Sequence, residues 1–404
     1  MEVLLNNGTK LIYRKTMSKL TSISISVDAG ACKEKNLMGL AHATEHMVYK
    51  GTKKRSENEI NKELSSIFGF QNAMTNYPYV IYYGTMLGED FEKAIEIFSD
   101  IIINPIFEEE GFKEEMDVIK EELREWDEEL EQFCEDKLFL NSFEKRRIKY
   151  PIIGRFDDLE KITLNDIKAF YNENYIPQNL SIAVVSSLDF ELIKNVVEKY
   201  FEAWERSNTS YQKDIIYDKD NFGVYRNIKK GTNGCKVEII FPIDTLNFNE
   251  MKAFKIFNEY FGEGVNSVLF DVLRTKNGLV YDVLTKIAYE TYIKLYKINF
   301  STSKDKLDKA LNLIDEAINK VLDNKVIIKN EEKNSYIKSI KLKRLFREEQ
   351  NIILAKELST YSTMFGNYKI YDEELDNLEE ITSEDILNSA KKVLSNKSIE
   401  IIIN

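Results

Sequence analysis

His42 and His46 are the only histidines in 404 residues. They stand four apart in Gly39-Leu40-Ala41-His42-Ala43-Thr44-Glu45-His46-Met47, with Glu45 between them. Two histidines scattered at random would fall at this spacing roughly once in two hundred such chains, so the pattern carries information despite its shortness. After Gly39 the run is largely apolar and free of glycine and proline, which predicts a helix. On a helix, positions i and i+4 stand one above the other, so both imidazoles can reach one metal ion. Glu45 borders the same face. The order inverts the His-Glu-x-x-His arrangement, in which two histidines hold zinc and the glutamate is a general base.

A catalytic zinc site usually has three protein ligands and one open position. With no third histidine, a carboxylate must complete it. Downstream of 107, Phe112, Met116, Ile119, Leu123, Trp126 and Leu130 recur at spacings of four and three and predict a buried helical stripe. At 100° per residue, Glu115 lies about 40° and Glu122 about 60° from Ile119, beside that stripe. Glu114 and Glu121 fall more than about 130° away, toward solvent. Carboxylates beside a core stripe are costly unless paired or metal-bound. Glu115 and Glu122 are two turns apart and share a face, so either could meet a metal.

The elements that must hold these residues read as follows. Strands are expected at 2–5 and 10–14 around Asn7-Gly8, a hairpin signal. Another is expected at 22–27, where Ser22, Ser24 and Ser26 alternate with Ile23, Ile25 and Val27 as in a half-buried strand. Gly51 is expected to stop the histidine helix. Ser56 to Glu59 is a capping box opening a helix that runs toward Gly69. Two strands fill 70–87, a helix spans 90–103, and one long charged helix is expected over 107–140. A helix at 164–175, a strand at 180–186 and a helix at 189–204 close the first half. The second half predicts strands at 237–241, 280–287, 291–302 and 399–403. Its helices are expected at 247–261, 265–275, 304–323, 330–362 and 384–394. Leu159, Ile162, Thr163, Asp166 and Ile167 recur as Leu378, Ile381, Thr382, Asp385 and Ile386, which points to duplication. The expected fold is α+β, with two homologous domains, each a mainly antiparallel sheet with helices packed on it. The expected boundaries are 1–206, a polar linker at 207–214, and 215–404.

Composition bounds the partners. A net charge of −12 argues against nucleic acid as a partner. No apolar run is long enough for a membrane helix, and the first residues lack a basic and apolar leader pattern, so a cytoplasmic location is expected. Cys32, Cys134 and Cys235 are sparse and odd in number, which suggests reduced thiols. The basic run from Lys338 to Arg347 reads as a solvated helix face.

The chain resembles the pitrilysin/insulinase family of inverzincin metallopeptidases, in its processing-peptidase-like branch. The resemblance rests on Gly39-Leu40-Ala41-His42, Glu45-His46-Met47 and Lys50-Gly51-Thr52, and it extends over nearly the whole chain. It implies Zn²⁺ held by His42, His46 and Glu122, with Glu45 as general base and Glu115 in support. Asn72-Ala73-Met74-Thr75 resembles the family's strand beside the metal, which implies that Asn72, Ala73 and Thr75 bind peptide. Gly262-Glu263-Gly264 and Ser267-Val268-Leu269-Phe270 resemble its glycine-rich turn and following helix. Arg274 and Tyr281 resemble an Arg/Tyr pair that completes the active site from the second domain or a partner chain. Ala43-Thr44 and Gly69-Phe70 depart from the usual pattern, at positions that are neither ligand nor base. The resemblance implies an endopeptidase for unfolded or precursor peptides, working as a homodimer or as a heterodimer with a paralogue. The alternative is a non-catalytic, substrate-presenting subunit. Such subunits lose ligands or the base, whereas His42, Glu45, His46 and Glu122 are all present here.

Overall fold

The computed structural model describes residues 1–205, 217 and 221–404, so the expected linker at 207–214 lies outside them. The chain divides into two compact units. The first gathers 1–124, 150–214 and 346–373, and the second gathers 125–149, 215–345 and 374–404.

The first unit is built on a six-stranded sheet. Its strands are β1 Glu2–Leu4, β2 Lys10–Lys15, β3 Leu20–Val27, β4 Phe68–Thr75, β5 Val80–Leu87 and β6 Leu180–Ser186. Their spatial order is β1-β2-β6-β3-β5-β4, with β2 and β6 parallel and the other neighbours antiparallel. The second unit has five strands: β7 Val224–Ile228, β8 Cys235–Pro242, β9 Val280–Ala288, β10 Leu295–Thr302 and β11 Ser398–Ile403. Their order is β7-β11-β8-β10-β9, again with one parallel pair, β7 with β11. Apart from β1, the two sheets have one topology. The duplicated segment is also structural: Thr163 with Asp166, and Thr382 with Asp385, each close a capping box at a helix start.

Two expected helices are each two. The run predicted over 107–140 is Glu109–Glu128 and Leu130–Ser142, broken at Glu129, whose backbone is extended. The run predicted over 330–362 is Asn330–Glu348 and Asn351–Phe365, with Gln350 extended between them. Both second segments start 221 residues apart, at Leu130 and Asn351, so the break is part of the duplicated plan. Apolar spacing continues through each break, but the surface it packs on changes, and periodicity cannot register a change of partner. The expected helix at 265–275 is likewise a short turn, Val268–Phe270, followed by a wider π-helical turn, Asp271–Thr275.

The breaks exchange cover between the halves. Asn351–Phe365 lies on the first sheet, where Leu354, Ala355 and Leu358 pack with Ile12, Ala183 and Val185. Ser24 meets Ser359 at 2.8 Å, and Ser181 meets Ser362 at 2.9 Å. β3 is therefore buried on both faces, not one, because its small serines admit a helix close to the strand. The compact units thus differ from the contiguous stretches 1–206 and 215–404 by the segments 125–149 and 346–373, which carry these two helices.

Leu130–Ser142 lies on the second sheet through charged groups. Lys297 pairs with Glu135 and stands 4.0 Å from Glu238, Lys236 pairs with Glu131 at 3.1 Å, and Asn141 donates to Glu400 at 2.9 Å. Burial alone would raise the Glu135 pKa, but Lys297 outweighs it and holds the carboxyl below its usual value. Burial, with the Glu135 charge beside it, pushes Glu238 well above its usual value. The other face of the second sheet is conventional core: Val237, Ile239, Phe241, Ile298 and Phe300 pack on Phe254, Phe257 and Ile386. Each such side chain contributes roughly 1.5–3 kcal/mol by leaving water.

Candidate metal centre

The histidine helix is short, Leu40–Met47, and needs help at its start. Gly39 adopts φ 93°, a left-handed conformation that glycine reaches without strain. A Cβ there would stand 2.4 Å from the Ile153 carbonyl oxygen, so the backbones are in near contact. Gly39 has no side chain to cap the helix. The buried Glu34 does it instead: Oε1 accepts from the amides of Gly39 at 3.1 Å and Ala41 at 2.9 Å. A carboxylate at a helix N-terminus also meets the positive end of the macrodipole. Sequence reasoning missed Glu34; the available signal was a helix start with no capping residue of its own. Beyond the helix, Thr52 and Arg55 both bond Asp100, at 2.7 and 2.8 Å, and Arg55 also pairs with Glu96 and Glu63.

The helix Glu109–Glu128 presents its carboxylates as the wheel predicts. Met116, Ile119 and Leu123 are buried, Glu115 and Glu122 are half-buried, and Glu114 and Glu121 are exposed. His42 Nε2 lies 3.8 Å from Glu122 Oε1, and His46 Nε2 lies 3.6 Å from Glu122 Oε2. One donor atom from each of His42, His46 and Glu122 lies within 4.8 Å of the other two. Ligands about 2.0–2.1 Å from a tetrahedral zinc would sit about 3.4 Å apart, so these side chains fit one ion with small adjustments. Two imidazoles and a carboxylate are also a donor set of catalytic zinc sites.

Glu115 takes a different place. Its Oε1 accepts from His46 Nδ1 at 2.8 Å, which puts a proton on Nδ1 and turns Nε2 toward Glu122. Lys50 approaches Glu115 at 3.2 Å and Glu57 at 2.9 Å. The His46 hydrogen bond is the main reason that Glu115 is held below the usual carboxylate range. Burial, then the neighbouring His46, lowers His42 to about 3, so His42 is neutral at pH 7 and can offer a lone pair. Burial raises Glu45 to about 6 against the opposing effects of His46 and Thr75. A carboxylate with a pKa near neutrality is suited to taking and returning a proton.

β4 is the terminal strand of its sheet. Asn72 and Met74 are exposed, Ala73 is half-buried, and Thr75 is buried with Oγ1 3.1 Å from Glu45 Oε2. Arg274 and Tyr281 belong to the second unit, not to the unit that holds the histidines. There the Arg274 guanidinium stands 4.9 Å from the Tyr281 ring centre, and Tyr281 is 84% exposed. Gly262 allows the turn before them to pass close to β9, since a Cβ there would stand 2.3 Å from Thr285 Cγ2. The second unit repeats the fold without the chemistry. Tyr336 and Lys343, each 221 positions on, replace Glu115 and Glu122, and no histidine follows His46.

The two sheets, their helices and their duplication define an α+β fold shared with solved M16 peptidase structures. A protease from Helicobacter pylori superposes with a TM-score of 0.89 at 18% identity, covering 100% of this chain and 99% of that one. Residues 10–155 match the family model for insulinase (peptidase family M16), and residues 161–336 match that for the peptidase M16 inactive domain. The chain belongs to peptidase family M16, and within it to the processing-peptidase branch. It is similar to a protein of Rickettsia felis named as an uncharacterized zinc protease, with 27% identity over 402 residues, 99% of this chain and 96% of that one. It is also similar to the mitochondrial-processing peptidase subunit beta of Saccharomyces cerevisiae, with 32% identity over 182 residues, 45% of this chain and 39% of that one. No helix among the described residues is long and apolar enough to cross a membrane.

Proposed function

We propose that this chain is a zinc-dependent endopeptidase that hydrolyses unfolded peptides or processes a precursor. The observation that carries the reading is the convergence of His42, His46 and Glu122, with Glu45 buried beside them. These three side chains would hold the zinc ion, which when bound supplies carbonyl polarisation and a more acidic water. Glu45 removes the proton from the attacking water and returns it to the leaving amine. Glu115 keeps His46 in one tautomer and orientation. The edge of β4 accepts the peptide as an added strand, so that Asn72, Ala73 and Thr75 bind mainly through their main chain. Binding of this kind makes modest demands on peptide sequence. The test is chelation followed by metal return, with a mixed peptide library as substrate. Hydrolysis should fall to background on chelation and recover with Zn²⁺; activity that survives complete metal removal would contradict the reading.

Arg274 and Tyr281 supply the rest of the site, Tyr281 as a donor to the developing oxyanion and Arg274 on the peptide backbone or its carboxylate end. We place them opposite the zinc of a second chain, in a homodimer or in a heterodimer with a paralogue. The pair supports this, because the Tyr281 ring lies beside Arg274 and faces solvent. Mixing inactive Glu45→Gln with inactive Tyr281→Phe should restore activity by pairing one intact half-site from each. A mixture as inactive as its components would overturn the shared site.

A further inference from the structure

We propose that Thr75 is a positioning residue for Glu45, its hydroxyl holding one carboxylate oxygen so that the other is presented to the reacting water. The inference rests on the peptidase reading above and adds a role that the strand's resemblance does not assign. Along β4 the side chains alternate, and Thr75 faces away from the exposed Asn72 and Met74. Its side chain is therefore turned inward, leaving its main chain for a peptide. Thr75 Oγ1 lies 3.1 Å from Glu45 Oε2. A carboxylate only accepts, so the hydroxyl donates, and it can go on donating to Oε2 while Oε1 takes and returns the proton. The pair can thus persist through both halves of a proton transfer.

The support is stiff. Thr75 ends β4 opposite Val80 in the register with β5, and the Asn76 amide donates to the Tyr79 carbonyl at 2.7 Å to close the turn. A β-branched side chain has restricted χ1, so backbone position largely dictates hydroxyl position. Glu45 is anchored separately, on the helix capped by Glu34. Without the hydroxyl, the carboxylate is free to turn about its terminal bond, and the proton-accepting oxygen loses a defined place.

The experiment compares Thr75→Val, which keeps the shape and removes the hydroxyl, with Thr75→Ser, which keeps the hydroxyl. With wild-type metal content in both, Thr75→Val should lower kcat about 10- to 100-fold with KM little changed, as expected for a misplaced catalytic group. Thr75→Ser should recover most of the loss. A change in KM alone would make Thr75 a substrate contact and overturn the proposal, as would equal loss in both variants. A second readout does not depend on activity. In full-length protein labelled with ¹³C-glutamate, the side-chain carboxyl signal that Glu45→Gln deletes should shift in Thr75→Val and stay near wild type in Thr75→Ser. An unmoved signal in Thr75→Val would overturn the positioning role even if no peptide were hydrolysed, whereas a moved signal with an inactive wild type would count against the peptidase reading alone.

Discussion

Glu45→Gln is expected to keep its metal and lose about a thousandfold in kcat on a peptide substrate, within the range that a general base contributes. The side chain is nearly isosteric and remains beside Thr75, so the fold and the His42, His46 and Glu122 cluster should be undisturbed. The amide cannot take a proton from water at neutral pH. Wild type and variant should therefore match in metal content while differing in turnover. Equal turnover would remove Glu45 from the mechanism. Loss of metal together with turnover would mean that Glu45 supports the ligands and is not the base.

Lys297→Met should give the largest stability effect. Lys297 is buried in the second unit against Glu135 and near Glu238. Removing one partner of a buried ion pair costs about 3–5 kcal/mol, because the remaining charge is stranded without water. In the variant the Lys297 charge no longer offsets the burial of Glu135, and only the weaker effects of Glu238 and Lys286 still oppose it, so its folded pKa should rise above the unfolded value. The folded state would then bind more protons than the unfolded state between those two values. Stability of the variant should accordingly recover as pH falls through that window. Urea midpoints across pH would measure this, and a triple variant with Glu135→Leu, Glu238→Val and Lys297→Met should regain most of the loss at pH 7. An unchanged midpoint in Lys297→Met would show that the network contributes nothing to stability.

Much of the arrangement was legible in local pattern. The histidine helix, the β3 alternation and the capping boxes at Ser56, Thr163 and Thr382 are all decided within a few residues. So is the orientation of Glu115 and Glu122, because a helix stripe determines which side chains face inward. What escaped depends on distant partners. The breaks at Glu129 and Gln350 carry no proline or glycine; they occur where the next turn finds a different sheet to cover. The serine face of β3 looked solvated because serine is polar, yet a helix more than 300 residues away covers it, as the Ser24–Ser359 contact shows. The Glu34 cap needs a loop that returns to the helix start. The inward turn of Thr75 is set by the strand register, which alternation in Phe68–Thr75 signals only weakly.

The exchanged helices bear on how the chain is made. The outer face of the first sheet is covered by Asn351–Phe365, so it stays open until most of the protein has left the ribosome. From the end of β6 at Ser186 to Phe365, synthesis at about 5–20 residues per second takes roughly 10–35 s. During that interval an emerging sheet carries unsatisfied apolar and hydroxyl surface from Ile12 to Val185. Ser24, Ser181 and Ala183 interrupt the larger Ile12 and Val185 on that face, which makes it a poorer seed for association with other nascent chains while it waits for its own helix.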